Sequence, residues 1–445
     1  MGAHAPDNRS PLIPDSNLRI MIVAGEASGD KHGAALARAL VELYPERRFE
    51  MFGSGGDEMR SAGVETLVDA REVAIIGVPE IVRALGKLYR AYRRLLEAAR
   101  TRKPDVVVLI DWPDFNMRLA RRLHCEGFKV VYYISPQVWA WRKYRVRAIR
   151  RDVDRMLVIL PFEEKFYEEA GVQVEYVGHP LAEAVRATAT REEFCSRHAL
   201  DPNRGIIALL PGSREREVHY HLPAMLEAVK EIRNSKFEIR NSDRAFAPSE
   251  SAGTSVSEVR NSKFEIRNSQ FLIPLASTID RNQIAALLKE AGASTNLDVS
   301  LVEQETYNTL FHSSLAVVAS GTATVEAALA GIPMVIIYRG SELNWRLIRP
   351  LIHLDTFGMV NLIAGRRIVP ELMQHDVTGD KIAGEVKALL ADPQRLSRMK
   401  SDLKEVAERL RSVGGSPSHR AARAVISVIS LSQPAIDRKY SPSAS

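Results

Sequence analysis

The sequence has little cysteine and no hydrophobic run long enough to cross a membrane. Its 445 residues include only two cysteines, Cys125 and Cys195, and neither lies in a CxxC motif or a Cys/His cluster. This usage is typical of a reducing compartment and argues against a structural zinc site. No apolar run approaches the ~20 residues that a spanning helix needs, and residues 1–17 lack the apolar core of a signal peptide. We therefore expect a cytoplasmic protein that is at most peripheral to a membrane.

Two motifs that would assign the chain to other protein classes are also absent. The sequence has no GxGxxG motif, which disfavours a dinucleotide-dependent oxidoreductase. It has no recognisable RNA- or DNA-binding module, which disfavours a nucleic-acid-binding protein. The net charge of +6 suits nucleic acid, an anionic membrane surface or a phosphorylated substrate, and it does not choose among them.

What the sequence does contain is an alternation of short apolar runs and helical patterns, and this alternation occurs twice. Such alternation predicts parallel, doubly wound sheets. We therefore expect an α/β fold of two Rossmann-like domains with a cleft between them. The candidate strands are at 19–24, 105–110, 129–134 and 155–160 in the first half and at 205–210, 271–276, 315–319 and 333–338 in the second.

The expected domain limits follow from where the pattern restarts. We predict an N-terminal domain at 18–185, a C-terminal domain at 200–400 and a helical segment at 401–431. Residues 1–17 and 432–445 are expected to be flexible tails.

Residues 231–270 interrupt the pattern of the second half. EIRNSKFEIRNS at 231–242 recurs as EVRNSKFEIRNS at 258–269. We interpret this segment as a duplicated insertion in a surface connection, where added length costs little. A functional repeat is the alternative, although two copies are too few for a solenoid.

The motif GEASGD, at 25–30, lies where the first strand turns into a helix. Free N–H groups and the helix dipole at such a turn favour a phosphate or a sugar. The alternative is a tight turn in which Ser28 or Asp30 caps the following helix.

The motif DWPDFN, at 111–116, directly follows the strand DVVVLI. The carboxyl ends of strands face the ligand crevice in doubly wound sheets, and a carboxylate there can accept a proton from an attacking hydroxyl. Asp111 and Asp114 are the candidate bases, and Asn116 is a candidate hydrogen-bonding partner. Alternatively, Asp114 and Asn116 make local turn bonds around Pro113.

The motif SPQVWAWR, at 135–142, follows the next strand and contains two tryptophans. The flat faces of Trp139 and Trp141 suit sugar rings or acyl chains, and both side chains suit a protein core equally well.

Two turns of the second half suit a diphosphate. In LLPGSRERE, Gly212 and Ser213 offer hydrogen-bond donors and Arg214 offers a bidentate cation, unless Arg214 pairs with a glutamate of its own helix. The other turn, Ser320-Gly321-Thr322, opens a helix on which Glu326 lies four residues after Thr322. A carboxylate there suits ribose hydroxyls, and a surface or capping glutamate is the alternative.

Three features are weaker candidates for a metal site. Asp152-Val153-Asp154 has the DxD spelling, which occurs often by chance. His32 and His179 are isolated, without ligand partners at useful spacing. We therefore expect no metal site.

Residues 81–103 combine apolar spacing with a strong excess of positive charge. A basic amphipathic helix can lie on an anionic bilayer. The alternative is an outer helix of the sheet with its apolar side inward and its basic side in solvent. The cations expected to face a membrane are Arg83, Lys87, Arg90, Arg93 and Arg94.

Taken together and in order, these motifs resemble the lipid-A-disaccharide synthase family. The similarity runs from about residue 19 to about residue 430, omitting the insertion, and departs at Val360, where many relatives have proline. The matching stretches are VAGEASGD, GSGGDEM, IIGVPEIV, IDWPDFN, YYISPQVWAWR, LPFEEKFYEEAGV, YVGHPL, LLPGSR, ASGTATVEAAL, PMVIIYR and VNLIAGRRIVPEL.

The resemblance implies a GT-B fold whose C-terminal domain binds most of the donor nucleotide. It implies UDP-2,3-diacylglucosamine as donor and 2,3-diacylglucosamine 1-phosphate (lipid X) as acceptor, with inversion at the anomeric carbon and Asp111 as base. It implies no cofactor, a location on the inner face of the inner membrane and, as one option, a homodimer. The expected donor-binding residues are Gly212, Ser213, Arg214, Ser320, Gly321, Thr322, Glu326 and Asn361. The expected acceptor-binding residues are Glu26, Ser28, Gly29, Asp30, Asn116 and Trp139.

The nearest alternative is another GT-B enzyme that uses a UDP sugar. A different lipid-linked glycosyltransferase and a UDP-sugar epimerase are the two main forms of this alternative. An assay for the disaccharide product separates them from the expected activity.

Overall fold

The computed structural model of the chain describes residues 17–73, 81–141, 143–235, 268–276, 279–292, 297–342, 345–346, 356–411 and 415–430. The chain divides into two compact units. The first consists of Met1–Pro180 with Ser412–Ser445, and the second consists of Leu181–Arg411.

The first unit is built on a seven-stranded sheet of order β3-β2-β1-β4-β5-β6-β7. Every pairing in it is parallel. The strands are β1 (Leu18–Ala24), β2 (Phe49–Gly55), β3 (Glu65–Asp69), β4 (Val106–Ile110), β5 (Val130–Tyr133), β6 (Arg155–Val158) and β7 (Val174–Tyr176). Because helices cover both faces, the central strands are continuous apolar runs, as in the fully buried β4.

Helices form a layer on each face of this sheet. One face packs against α1 and the last helix, α18, and the other packs against α4, α5, α7 and α8. The helices are α1 (Ala27–Leu43), α2 (Asp57–Ser61), α3 (Ala70–Val73), α4 (Ile81–Arg102), α5 (Pro113–Cys125), α6 (Val138–Trp141), α7 (Val146–Asp152), α8 (Pro161–Glu169) and α18 (Pro417–Ser430), with a 3-10 turn at Lys143–Arg145.

The second unit is built on a six-stranded sheet of order β10-β9-β8-β11-β12-β13. Its pairings are also parallel. The strands are β8 (Ile206–Leu210), β9 (Gln270–Leu275), β10 (Val299–Glu303), β11 (Leu315–Ala319), β12 (Met334–Tyr338) and β13 (Glu371–Met373).

The helices of the second unit follow its strands in the same alternating manner. They are α9 (Leu181–Ala184), α10 (Arg191–Arg197), α11 (Glu215–Arg233), α12 (Arg281–Gly292), α13 (Thr306–His312), α14 (Thr322–Leu329), α15 (Met359–Ala364), α16 (Gly379–Ala391) and α17 (Pro393–Leu410), with a 3-10 turn at Gln374–Asp376. Most of the predicted insertion lies outside the described residues. Its first residues extend α11 and its last residue begins β9.

The structure divides the end of the chain differently from the predicted segment at 401–431. Helix α17 belongs to the second unit, whereas α18 belongs to the first. Ala421, Val425 and Ile429 recur at a spacing of four residues, and this buried stripe lies on a helix that packs against α1 and against β4, β5 and β6. The chain leaves the first unit after Pro180, earlier than the predicted limit. Among the described helices, none combines the length and the hydropathy needed to cross a bilayer.

Candidate active site

The carboxyl end of β4 carries the predicted base, Asp111, in an unusual backbone conformation. Asp111 and Trp112 have φ angles of +45° and +49°, in the left-handed region that non-glycine residues rarely adopt. The Asp111 carbonyl accepts hydrogen bonds from the Tyr132 hydroxyl at 2.6 Å and from Asn116 Nδ2 at 2.8 Å. The Asp111 N–H donates to the Tyr133 carbonyl at 3.1 Å. These bonds hold the main chain in a strained shape, and such strain is concentrated at functional sites.

The electrostatic surroundings of Asp111 suit a general base. Burial and, less strongly, the negative charge of Glu26 together raise the pKa of its carboxyl to about 6, although a hydrogen bond from the Trp112 N–H opposes the rise. A base whose pKa lies near the working pH is ionised and still accepts a proton readily.

The Trp112 ring fixes the spacing between the ends of β1 and β4. It stacks on Phe115 with a centroid distance of 3.8 Å and an interplanar angle of 9°. The ring also lies close to Gly25, where a Cβ atom would be 2.1 Å from it. Gly25 is therefore required by close packing of the indole, which is a reason that the sequence analysis did not identify.

Within GEASGD, the structure separates exposed groups from internal ones. Glu26 and Ser28 are exposed at the start of α1, and Gly29 is buried against Ala24. Asp30 is buried, and its carboxylate accepts the backbone N–H groups of Gly56, Glu58 and Met59 at 2.6, 3.1 and 3.1 Å.

Asp30 thus caps α2 rather than its own helix. The N-cap residue of α1 is Glu26, and it makes no side-chain capping bond. The alternative in which Ser28 or Asp30 caps α1 is therefore wrong. The Asp30 carboxylate accepts three hydrogen bonds at the start of α2 and so organises the adjoining loop, while its role in binding the acceptor stays a prediction.

Two other residues expected to contact the acceptor are buried. Asn116 has no exposed surface, and its amide nitrogen donates to the carbonyls of Ile110 and Asp111. Trp139 is 8% exposed and donates from Nε1 to Glu163 Oε1 at 3.0 Å. Both side chains therefore support the loops that follow β4 and β5, and the structure gives neither an exposed polar face. The Trp141 side chain lies outside the described part of the structure.

A buried glutamate, Glu163, organises the loop after β5 and was not identified from the sequence. Its carboxylate accepts from Trp139 and from Ser135 Oγ at 3.0 Å each, and from the Leu160 N–H at 3.2 Å. Ser135 Oγ also lies 2.9 Å from the Tyr167 hydroxyl. Burial raises the pKa of Glu163 to about 7 against the opposing effect of these donors.

Asp114, the alternative base, has surroundings that differ from those of Asp111. Its side chain is 67% exposed and pairs with Arg145 at 2.6 Å. A carboxylate that is paired with an arginine is a poorer proton acceptor than a carboxylate whose pKa is raised by burial. This contrast favours Asp111 as the base.

In the second unit, the LLPGSR turn carries an exposed cation, Arg214, next to a turn made by Gly212. Gly212 has φ +123°, and a Cβ atom there would lie 2.5 Å from Glu217. The N–H groups of Ser213 and Arg214 donate to Glu217 Oε2 at 3.0 and 3.3 Å. The Arg214 side chain is 80% exposed and lies 3.5 Å from Glu217 Oε1. The pairing with a glutamate of its own helix, which was the alternative to diphosphate binding, is present with Glu217, and it leaves most of the guanidinium in solvent.

The Ser320-Gly321-Thr322 turn opens α14 as predicted. Gly321 has φ +156° and ψ −158°, a region that only glycine adopts easily. Gly321 and Thr322 are exposed at the helix N-terminus. Glu326 is largely buried one turn later, its pKa raised by burial, with the Tyr307 hydroxyl 3.5 Å from Oε1.

Asn361 does not have the exposed amide that a ligand contact needs. It is fully buried, its Nδ2 donates to Val369 O and Glu371 Oε1 at 2.9 and 2.7 Å, and its Oδ1 accepts the N–H groups of Ile368 and Val369 at 2.7 and 3.0 Å. These four bonds use the full capacity of the amide. Asn361 therefore fastens the loop around α15.

Helix α4 packs its apolar stripe inward. From Leu88 onward the stripe joins the core of the first unit, with Leu95 and Ala99 fully buried. Lys87, Arg90, Arg93 and Arg94 are exposed. The Arg83 side chain lies outside the described part of the structure. Helix α4 therefore matches the alternative of an outer helix with its apolar side inward. Its basic side is exposed to solvent.

The weaker metal candidates have ordinary structural surroundings. Asp152 is 2% exposed and pairs with Arg151 at 2.6 Å, and Asp154 accepts the Val130 N–H at 2.8 Å. Burial lowers the pKa of His32 and of His179 to about 4.

Two parallel-sheet units of Rossmann type define the GT-B class of fold, and solved structures agree. The glycosyltransferase of kitacinnamycin has a TM-score of 0.58 at 14% identity, covering 93% of this chain and 100% of its own. A UDP-GlcNAc 2-epimerase from Neisseria meningitidis, bound to UDP-GlcNAc, has a TM-score of 0.54 at 11% identity, covering 93% of this chain and all of its own. At such identities the likeness establishes the fold alone.

Sequence similarity identifies the family within this class. The family model for lipid-A-disaccharide synthetase matches residues 20–248 and 254–425. Lipid-A-disaccharide synthases from Koribacter versatilis and Geobacter sulfurreducens are each 43% identical, covering 92% and 94% of this chain and 98% and 99% of their own lengths. The chain belongs to the lipid-A-disaccharide synthase family. It is a glycosyltransferase of lipid A biosynthesis, which confirms the family and enzyme class expected from the sequence.

Proposed function

We propose that this enzyme condenses UDP-2,3-diacylglucosamine with 2,3-diacylglucosamine 1-phosphate, giving the tetraacyl disaccharide 1-phosphate and UDP. The observation that carries the proposal is the Asp111 carboxyl, whose pKa burial raises to about 6, held on a strained turn at the carboxyl end of a central strand. The names of the relatives supply the reaction class, and this carboxyl supplies the base that the reaction needs.

The proposed step is a single displacement. The Asp111 carboxylate removes the proton from the acceptor 6-hydroxyl as that oxygen forms a bond to the anomeric carbon. The bond from this carbon to the UDP oxygen breaks, and its electron pair leaves with UDP. One displacement inverts the anomeric configuration and needs no covalent sugar–enzyme intermediate.

The second unit is proposed to stabilise the leaving group. Charge grows on the diphosphate as the glycosidic bond breaks, and prearranged donors stabilise such charge strongly. The exposed guanidinium of Arg214 and the N-terminus of α14 at Gly321 and Thr322 supply these donors. Glu326 is proposed to accept a ribose hydroxyl. Ser213 and Asn361 act indirectly, because the Ser213 N–H is engaged by Glu217 and the Asn361 amide is fully bonded.

The first unit is proposed to bind the acceptor through the exposed start of α1. Glu26 and Ser28 are exposed there, and Glu26 influences the charge of Asp111. Acceptor binding beside Glu26 places a hydroxyl where the base requires it.

A product assay tests the proposal. The enzyme is supplied with UDP-diacylglucosamine and lipid X, and mass spectrometry follows the disaccharide while a coupled assay follows UDP. We expect the two products in equal amounts. Epimerised UDP sugar, or UDP release without disaccharide, would overturn the proposal in favour of the other GT-B activities.

We also propose that the basic side of α4 holds the enzyme on the inner face of the inner membrane, where both substrates lie. The cations are exposed, whereas the apolar stripe from Leu88 onward is buried, so attraction to anionic headgroups rather than insertion of that stripe is the expected force. The readout is cosedimentation with anionic vesicles.

The test variant changes Arg90, Arg93 and Arg94 to glutamate. At about 1 kcal/mol for each basic residue near the surface, vesicle binding should fall by more than about 100-fold at low salt. A charge-matched control changes Arg216, Lys289 and Arg398, exposed residues of the second unit, to glutamate. Equal losses in the two triple variants would show that net charge alone, and not α4, directs binding.

A further inference from the structure

A buried histidine, His221, connects two loops of the second unit. It lies on α11 and is 1% exposed. Its Nδ1 lies 2.8 Å from the Pro211 carbonyl, and its Nε2 lies 2.9 Å from the Arg339 backbone nitrogen. Pro211 directly follows β8, and Arg339 directly follows β12.

These two loops lie on either side of the Ser320–Thr322 turn, which is part of the proposed diphosphate site. In the sheet, β8 and β12 are the two neighbours of β11, and the Ser320–Thr322 turn follows β11. The loop after β8 continues into Gly212 and Arg214. A connection from Pro211 to Arg339 therefore spans the strand end at which α14 begins.

The partners of His221 permit only one form of its imidazole ring. The Pro211 carbonyl is an acceptor, so Nδ1 must carry a hydrogen. The Arg339 N–H is a donor, so Nε2 must be without one. Only the neutral Nδ1–H tautomer satisfies both bonds. Protonation would set an Nε2–H group against the Arg339 N–H and break that bond.

The charges that face the ring do not reverse this preference. Burial is the largest influence and lowers the His221 pKa, and the charge of Arg339 also lowers it, whereas the hydrogen bond to the Pro211 carbonyl and the charge of Glu217 on α11 raise it without cancelling the effect of burial. The Tyr338 ring lies 6.4 Å away, centroid to centroid, and Pro211 is uncharged. The neutral ring is therefore the stable form near neutral pH.

We propose that His221 is a positioning residue for the donor site, a neutral crossbridge that holds the loops after β8 and β12 at the spacing that UDP binding requires. This inference rests on the proposed function, because it concerns the donor site of that reaction. It assigns a role to a side chain that does not itself touch the substrate.

Each of two uncharged variants keeps one of the two hydrogen bonds of His221 and removes the other. In His221→Asn the amide nitrogen replaces Nδ1 and donates to Pro211, but the side chain is too short to reach Arg339. In His221→Gln the amide oxygen replaces Nε2 and accepts from Arg339, but the bond to Pro211 is lost. Each variant should weaken UDP binding about five-fold above the histidine pKa, the effect of one lost buried hydrogen bond.

Calorimetry of UDP binding across a pH series, without acceptor, provides the main readout. UDP and Glu326 titrate alike in all three proteins, so the informative quantity is the difference between each variant and the wild type. We expect the advantage of the wild type over His221→Asn to disappear as the pH falls and the ring is protonated. Parallel pH profiles, or equal UDP affinities throughout, would overturn the inference.

Nitrogen-15 NMR of the imidazole gives a second readout that does not depend on activity. In the wild type, Nδ1 should appear as the protonated nitrogen and Nε2 as the unprotonated one. The opposite tautomer would overturn the crossbridge. If the wild type shows the expected tautomer but binds no UDP, then the proposed function fails while the bridge stands, so the two failures are distinguishable.

Discussion

The carboxyl ends of the two sheets are built in different ways. At the first, Asp111 and Trp112 take left-handed backbone angles without being glycine, and the indole packs against Gly25. At the second, the turns of the proposed donor site place such angles at glycines, Gly212 and Gly321, whereas the non-glycine residues Gln304 and Gln374 with left-handed angles follow the two edge strands, β10 and β13. The first end carries an acid whose pKa burial raises, and the second carries an exposed cation.

This difference matches the chemistry proposed for each end. A base needs a carboxyl that is partly removed from water, and the protein must hold it there against its preference for solvent. A diphosphate site needs accessible donors on a turn that allows close approach, and glycine provides such a turn with little strain. The turn that carries the base is therefore costly in stability, whereas the glycine turns of the proposed donor site are not.

The largest expected effect is from Asp111→Asn. Losing a general base should lower kcat by about 1,000-fold, with UDP affinity unchanged because the donor residues lie in the second unit. The sign of the stability effect is opposite to that of the activity. The folded-state pKa is raised to about 6 from 3.8, so ionising Asp111 above that pH disfavours folding, and the uncharged variant should melt at a higher temperature.

Asp114→Asn is the matched control, since it removes a carboxylate three residues away that is exposed and paired with Arg145. It should keep activity within a few-fold of the wild type. If Asp114→Asn were the inactive variant and Asp111→Asn the active one, the assignment of the base would be reversed.

Arg214→Ala tests the other end of the comparison. Removing a cation that donates to the diphosphate should raise the donor KM by about 10- to 100-fold, with little change in melting temperature because the side chain is 80% exposed. Arg216→Ala, a change of an exposed neighbour, provides the control. Equal effects from the two arginines would indicate attraction by general charge and not a specific contact.

Gly25→Ala tests the packing of the first end. A Cβ atom 2.1 Å from the Trp112 ring cannot be accommodated by a ring movement, because Phe115 stacks on it at 3.8 Å. Overpacking should lower the free energy of unfolding by about 1–3 kcal/mol, measured by urea denaturation.

Two further variants sharpen this test. Gly86→Ala on exposed α4, where no atom lies near the new Cβ, should leave stability unchanged or raise it by up to about 1 kcal/mol. Combining Gly25→Ala with Trp112→Leu should cost less than the sum of the two single changes, because the clash is gone. Simple additivity would show that Gly25 is needed for another reason.

The four central strands of each half and the position of Asp111 could be predicted from the sequence, because both are local signals, whereas β2, β3, β7, β10 and β13 were not predicted. A β-branched run such as VVVLI indicates a buried strand, and the residue after it must lie at the strand's end. The same argument, from the residues that follow a buried strand, predicts the turn that carries Arg214 and the helix that begins at Thr322.

The residues that fasten the site could not be predicted, because their partners are distant in sequence. Asp30 caps α2 by bonding Gly56, which lies 26 residues later in the sequence. His221 bonds Arg339, which lies 118 residues later. Glu371 accepts the N–H groups of Phe357 and Gly358 at the start of α15. The helical period of α18 similarly identifies its apolar face and not the unit against which that face packs.

Glu26→Gln is the smallest expected effect. Because a negative charge beside Asp111 disfavours ionisation and is a smaller cause than burial, removing it should lower the Asp111 pKa only modestly. The base must be ionised to act, so kcat/KM falls as the pH drops through about 6 in the wild type, and this acidic limb should move to lower pH in the variant. Glu97→Gln, an exposed change on α4, should leave the limb in place.

Salt separates the two causes of the raised Asp111 pKa. Glu26 is exposed, so its influence should weaken as ionic strength rises and the Debye length falls below about 8 Å. Burial acts through the surrounding protein and is insensitive to salt. The acidic limbs of wild type and Glu26→Gln should therefore converge at high salt while both remain above the ordinary aspartate range. Limbs that stay apart at high salt would mean that Glu26 acts through direct contact and not through its charge.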